Sequence, residues 1–305
     1  MYKYTYKHIT GEKYMTTPIL TIGMATYDDF NGVYFSIQSL RMFHSMCMTS
    51  AVEFIVIDNN PDSNQGQAVK KFIEGHVSNA RYIPYTKKKS TSVRNQIFTH
   101  AQGDITLSID CHVMIEPGGL ETLVEYFKDT TTHKNIVTGP LWTDNLQGVS
   151  THFKPGWRGN MYGTWDTDPQ YHLDKPFEIP MNGCGLFACK TNHWPEFSHY
   201  FVGFGGEEWY IQEKFRKNGG KAICIPSLKW VHRFQRPDGV LYPNTYEDRV
   251  FNYYVGWLEL YRDPTHEMIL SITQHFSNVL TVQKLENIKE QAMKKLNIQR
   301  PKVIE

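Results

Sequence analysis

Asp104-Ile105-Thr106-Leu107-Ser108-Ile109-Asp110-Cys111-His112 is the stretch on which the reading of the fold turns. Its apolar and polar residues alternate. Side chains along a strand point to opposite faces in turn, so Ile105, Leu107, Ile109 and Cys111 are expected on one face, and Thr106, Ser108, Asp110 and His112 on the other. A carboxylate and an imidazole two residues apart at a strand's C-terminal end can grip one divalent cation. That end is also where open α/β sheets bind ligands. A capping aspartate followed by an ordinary loop histidine is the competing reading of the same residues.

Upstream, the pattern repeats a strand and helix rhythm. Pro18 to Ala25 reads as a buried strand, Thr26 to Gly32 as its outgoing turn, and the segment crowded with Phe35, Ile37, Leu40, Met42 and Phe43 as a helix. Val52 to Asp58 is a second strand. Gln67 to Glu74 is a short helix with Val69, Phe72 and Ile73 inward and Gly75 as its stop, and Arg81 to Tyr85 is a third strand. After Lys87-Lys88-Lys89, Ser90 with Thr91 or Ser92 can cap a helix carrying Val93, Ile97, Phe98 and Ala101 on one side, with Arg94 in its first turn and on its exposed end. Residues 18–115 therefore form a βαβαβαβ unit, a nucleotide-binding half with Asp110-Cys111-His112 at its switch point.

The rest of the chain is different in character. Gly118 to Phe127 reads as an amphipathic helix and Asn135 to Thr138 as a strand. A long Gly-, Asp- and aromatic-rich segment from Pro140 to Pro180 then holds Trp142, Trp157 and Trp165. Those tryptophans suit either a sugar-facing platform or a segment packed onto the core. Gly185 to Cys189, Ala222 to Ile225 and Trp230 to Arg233 read as strands, Glu207 to Lys217 as a helix stopped by Gly219 and Gly220, and the chain from Tyr246 onward as helical. Leu285, Ile288, Ala292 and Leu296 make a closing apolar stripe expected to pack on the body. The expected organisation is an arm over residues 1–17, a main domain over 18–255 (halves 18–115 and 116–255) and a helical extension over 256–305.

With 305 residues the chain can bury a sizeable core, and a net charge of +1 gives no argument for a polyanionic partner across its whole surface. Five cysteines without a CxxC pair suit a reducing compartment. There is no signal-peptide core and no apolar run of membrane-spanning length, so a soluble, cytoplasmic protein is expected.

In order, three sets of residues resemble the GT-A-fold glycosyltransferases, most closely the polypeptide N-acetylgalactosaminyltransferases. Arg94 and Ala101-Gln102-Gly103-Asp104 lead into Asp110-Cys111-His112, which is similar to the family's Asp-x-His. Gly183-Cys184-Gly185-Leu186-Phe187 and Phe204-Gly205-Gly206-Glu207 resemble its Gly-Gly-Leu-Phe and Trp-Gly-Gly-Glu. Asn218-Gly219-Gly220, Pro226-Ser227 and His232-Arg233-Phe234 follow its later series, so the resemblance spans roughly residues 18–255. It departs where Phe204 replaces Trp and Glu208 stands for Asn, and it does not extend to the family's membrane anchor or lectin domain. The string Gly205-Gly206-Glu207-Glu208 also resembles the Gly-Gly-Glu-Asp of inverting enzymes.

The resemblance implies an α/β GT-A fold: a Rossmann-like half fused to an acceptor-binding half around one mixed sheet, here with C-terminal helices. It further implies a metal-dependent glycosyltransferase using a nucleotide sugar, with UDP as the expected carrier and Mn²⁺ (or Mg²⁺) as cofactor. Asp110, His112 and His232 are the expected ligands, an N/O set suited to such ions; His232 can also be read as a core histidine beside Trp230. Thr26, Tyr27, Asp58, Arg94, Asp110 and Gly185 are expected to meet the nucleotide sugar, Asp58 being otherwise a strand-end turn residue. Glu208 is assigned as general base and Glu207 as the residue orienting sugar or acceptor, although acids at a helix start are favoured by its dipole alone. The nearest family implies retention of anomeric configuration, and an acid at 208 implies inversion. The acceptor is a glycan, a protein or a hydroxylated nucleic-acid base, the last suited to a virus that modifies its own DNA. A non-catalytic sugar-nucleotide-binding module is the competing class.

Overall fold

The computed structural model describes residues 17–235, 239 and 241–299. All but the last residue of the expected N-terminal arm lies outside them. The first half is built from β1 (Leu20–Thr26), α1 (Phe30–Phe43), β2 (Val52–Asp58), α2 (Asn64–His76), β3 (Ala80–Pro84), α3 (Asn95–His100) and β4 (Ile105–Asp110). Strands β3, β2, β1 and β4 lie side by side in that order and pair in parallel. The expected βαβαβαβ unit is therefore present. Helices cover both faces of a parallel sheet, so its strands read as continuous apolar runs, and β2 is buried at every position. Phe54 and Val56 cluster with Ile37 of α1 and Phe72 of α2, whereas Ile55 and Ile57 cluster with Ile97 and Phe98 of α3. Helix α2 runs past Gly75 to His76, its N-terminus held by Ser63 Oγ accepting the Gly66 amide.

Next come β5 (Val113–Ile115), α4 (Gly119–Tyr126), β6 (Ile136–Thr138), β7 (Leu141–Trp142), β8 (Val149–Ser150), β9 (His152–Arg158) and β10 (Met161–Asp166). They are followed by β11 (Phe177–Glu178), β12 (Leu186–Lys190), α5 (Glu208–Lys217), β13 (Ala222–Cys224) and β14 (Trp230–His232). Strand β12 joins β4 antiparallel and widens the main sheet to eight strands, in the order β11-β13-β6-β12-β4-β1-β2-β3. A second sheet, β5-β14-β7-β8, starts from the turn that ends β4. The Gly-, Asp- and aromatic-rich segment from Pro140 to Pro180, for which no strand was read from the sequence, contains β7 to β11. Two-residue strands are too short to leave a periodic signature, and the β9–β10 hairpin is only partly buried.

Three helices close the chain: α6 (Tyr246–Tyr261), α7 (Glu267–Phe276) and α8 (Val282–Lys295). The boundary expected at residue 255 falls inside α6, because that helix belongs to the same apolar cluster as α5 and α3 through Val250, Tyr254 and Leu258. The stripe Leu285, Ile288, Ala292 and Leu296 is buried in this cluster, as expected. All five cysteines are buried. No helix among the described residues is long and apolar enough to cross a membrane.

Candidate active site

Strand β4 ends at Asp110, so Cys111 and His112 form a turn into β5 instead of continuing the strand as the alternation suggested. A shared strand face is thus not what joins Asp110 to His112. The turn folds His112 back, and β14, antiparallel to β5 with His232 opposite Val113, brings in the third residue. His112 Nε2 lies 3.2 Å from His232 Nε2, which lies 3.3 Å from Asp110 Oδ2. One ligand atom from each of the three falls within 4.8 Å of the others.

Two further features fit this trio to a divalent cation. His112 Nδ1 is 2.9 Å from Asp29 Oδ2, an arrangement that orients a ligating imidazole and turns its other nitrogen to the metal. The two imidazole Nε2 atoms and the Asp110 carboxylate face one another at distances that would also suit the ligands of a shared cation. Asp29 was not singled out from the sequence. It caps α1 by accepting the Gly32 amide at 2.9 Å and also pairs with Arg233 at 3.1 Å. Burial works against its charge, but the His112 hydrogen bond, the Gly32 amide and the nearby cations hold its carboxyl below the ordinary range.

Arg94 is the largest departure from expectation. It is buried, in a 3-10 turn (Thr91–Arg94) that precedes α3. Ser90 and Ser92 hydroxyls bond one another, with no side-chain cap, and the Thr91 amide leaves the helix direction to donate to Gly203 O. The guanidinium donates to Asp110 Oδ1 at 2.9 Å and sits 3.5 Å from Glu207 Oε1. Asp110 takes the closer contact, and although burial opposes its charge, Arg94 and then His232 hold its carboxyl well below the usual range. Glu207 behaves oppositely. Full burial first, and Glu208 second, push its carboxyl up despite the longer contact to Arg94. Its Oε2 finds no hydrogen-bond partner among the described residues.

That asymmetry has a pH consequence. A carboxyl whose folded pKa is raised is favoured neutral in the fold, so its stabilisation is complete below the ordinary value of 4.5 and is lost as pH rises through the raised one. Glu207→Gln is therefore expected to flatten the fall in melting temperature between acidic and mildly alkaline buffers. Wild type and variant falling in parallel would show that Glu207 is ionised throughout.

The cleft at the C-terminal ends of β1 and β4 has a volume of about 300 Å³. Thr26, Tyr27, Arg94, Asp110, His112, Gly185, Glu208 and His232 all line it, whereas Glu207 and Asp58 do not. Asp58 is fully buried. Its carboxylate accepts the Tyr82 hydroxyl at 2.8 Å and the Asn60 amide at 2.9 Å, so it closes a strand-end turn. The next residue, Asn59, reaches the cleft wall. Thr26 presents a buried hydroxyl without a partner among the described residues, and Lys89 Nζ lies 3.3 Å from the Tyr27 hydroxyl. Gly185 O accepts the Asp110 amide at 2.8 Å, and a Cβ there would meet the Trp230 ring at 3.0 Å. The tryptophans divide. Trp165 lines the cleft edge-on to Phe153, while Trp157 stacks on His275 and donates to the Ser271 hydroxyl, packing the hairpin onto α7.

Comparison with known proteins agrees with this architecture. Residues 21–145 match the family model for Glycosyl transferase family 2. Over 249 residues the chain is 25% identical to polypeptide N-acetylgalactosaminyltransferase 4 of Mus musculus, covering 73% of this chain and 42% of that protein. The crystal structure of GalNAc-T7 with UDP, GalNAc and Mn²⁺ superimposes with a TM-score of 0.64 at 14% identity, covering 94% of this chain and 55% of that one. The mannosyltransferase PcManGT from Pyrobaculum calidifontis, in complex with GDP-Man and Mn²⁺, gives 0.54 at 14% identity, covering 94% and 77%. The fold is GT-A. The chain spans about two-fifths of the length of the curated relatives it matches.

Proposed function

We propose that this chain is a divalent-metal-dependent glycosyltransferase that moves a sugar from a UDP-linked donor to an acceptor hydroxyl. The observation that carries the reading is that Asp110, His112, His232 and the acid Glu208 open into one cleft. A cation held by Asp110, His112 and His232 would supply the Lewis acid that a departing diphosphate requires. Thr26, Tyr27 and Lys89 form the wall where the nucleotide would lie. Glu208 takes the proton of the acceptor hydroxyl as its oxygen bonds to the anomeric carbon; the bond from that carbon to the diphosphate breaks, and the diphosphate leaves with the electron pair. Attack opposite the leaving group inverts the anomeric centre. Arg94 keeps Asp110 ionised and Asp29 keeps His112 aimed. The acceptor is a glycan, a protein or a hydroxylated nucleic-acid base.

Calorimetry of Mn²⁺ with UDP tests the donor half of the reading. Each should raise the other's affinity, and Asp29→Asn should cost about 10- to 100-fold in metal affinity by releasing the His112 ring. UDP affinity that is the same with and without Mn²⁺ would remove the metal from the mechanism. Donor binding without donor hydrolysis or transfer in Mn²⁺ would leave a binding module.

A further inference from the structure

Residues 202–206 lead directly into Glu207 and Glu208, and the chain there adopts a conformation open to glycine. Gly203, Gly205 and Gly206 have φ of +50°, +92° and +90°, in the left-handed region. The loop lies against α6: a Cβ on Gly203 would come within 2.5 Å of Asp248 Oδ2, and one on Gly205 within 2.4 Å of Arg249 Cζ. Asn252, one turn further along α6, is fully buried. Its Oδ1 accepts the Val202 amide at 2.9 Å, and its Nδ2 donates to Val202 O at 2.7 Å and to Gly205 O at 2.8 Å. The amide's two donors and its acceptor are thus all spent on this one loop. On the loop's other side, Gly203 O accepts the amide of Thr91, the first residue of the turn that carries Arg94. Asn252 itself does not line the cleft.

We propose that Asn252 is a positioning residue that clamps the glycine loop and thereby fixes Glu208 relative to the Arg94 turn. The proposal rests on the reading of the site given above. It assigns the C-terminal helices a part in the chemistry: α6 is the back wall against which the acid pair is held. Alanine at 252 removes all three bonds. Aspartate keeps the acceptor for the Val202 amide but sets a second oxygen against the carbonyls of Val202 and Gly205, and only its protonated form regains a donor.

The test uses the full chain with Asn252→Ala and Asn252→Asp. For Asn252→Ala, kcat for transfer should fall about 10²-fold, the scale of a misplaced catalytic group, while donor KM and Mn²⁺-dependent UDP affinity hold. For Asn252→Asp, kcat relative to wild type at the same pH should recover as pH falls. An unchanged kcat in the alanine variant overturns the proposal. So does a deficit that matches the loss of folded protein, or a pH-independent ratio in the aspartate variant. If wild type turns over no donor, the reading of the site fails, and amide hydrogen exchange decides the clamp separately. Exchange at residues 202–208 should then be faster in Asn252→Ala with the remainder of α6 unchanged, and equal rates overturn it.

Discussion

Glu208→Gln is expected to lower sugar transfer by about 10²- to 10⁴-fold, the usual cost of losing a general base, while leaving UDP and Mn²⁺ affinity intact. The amide preserves shape and hydrogen bonding but cannot take the acceptor's proton. Glu208 is the better placed of the two acids, since it opens α5 with its side chain on the cleft while Glu207 turns inward beneath Arg94. Because the step is a single displacement, the first-formed product should show the opposite anomeric configuration to the donor by proton NMR. Retained configuration, or normal turnover in Glu208→Gln, would end the assignment of Glu208 as base.

Arg94→Ala is expected to destabilise the fold by about 3–5 kcal/mol, because removing one partner of a buried pair strands the other charge. Without the guanidinium, Asp110 loses its nearest cation, and Glu207 and Glu208 are left side by side with less opposing charge. Denaturant melts of the metal-free protein measure this. A variant as stable as wild type, with only donor affinity reduced, would restore the exposed, ligand-facing arginine that the sequence suggested. Arg94→Lys keeps the charge but loses the planar fork that reaches both Asp110 and Glu207, so it should fall between the two.

The parallel half of the fold was legible because its signal is local. A run such as Val52 to Asp58, apolar on both faces, is what a strand covered on both sides must be, and its limits agree with the observed strand residue for residue. Asp110 and His112 were legible as a candidate ligand pair at the end of such a run, and His232 only through the family resemblance. Glu208 was legible as an acid following two glycines. These readings use distances of a few residues along the chain, over which side-chain periodicity is preserved.

Only the tertiary structure decided which of those groups face one another. Asp29 meets His112 across 83 residues, and Asn252 holds a loop about 50 residues before it. Neither pairing leaves a trace in periodicity or spacing. Arg94 and Asp58 were misplaced for the same reason. Arg94 looked like a helix-end cation until the Thr91 amide was drawn to Gly203 and the turn buried it. Asp58 looked free for a ligand until Tyr82, on the neighbouring strand, claimed its carboxylate. The sequence by itself determined the strands of the parallel half and which residues carry charge and ligand atoms, since those depend on each residue and its near neighbours. Burial and partnership depend on which distant segments the fold brings together, and so the state of each acid in the site was set only in three dimensions.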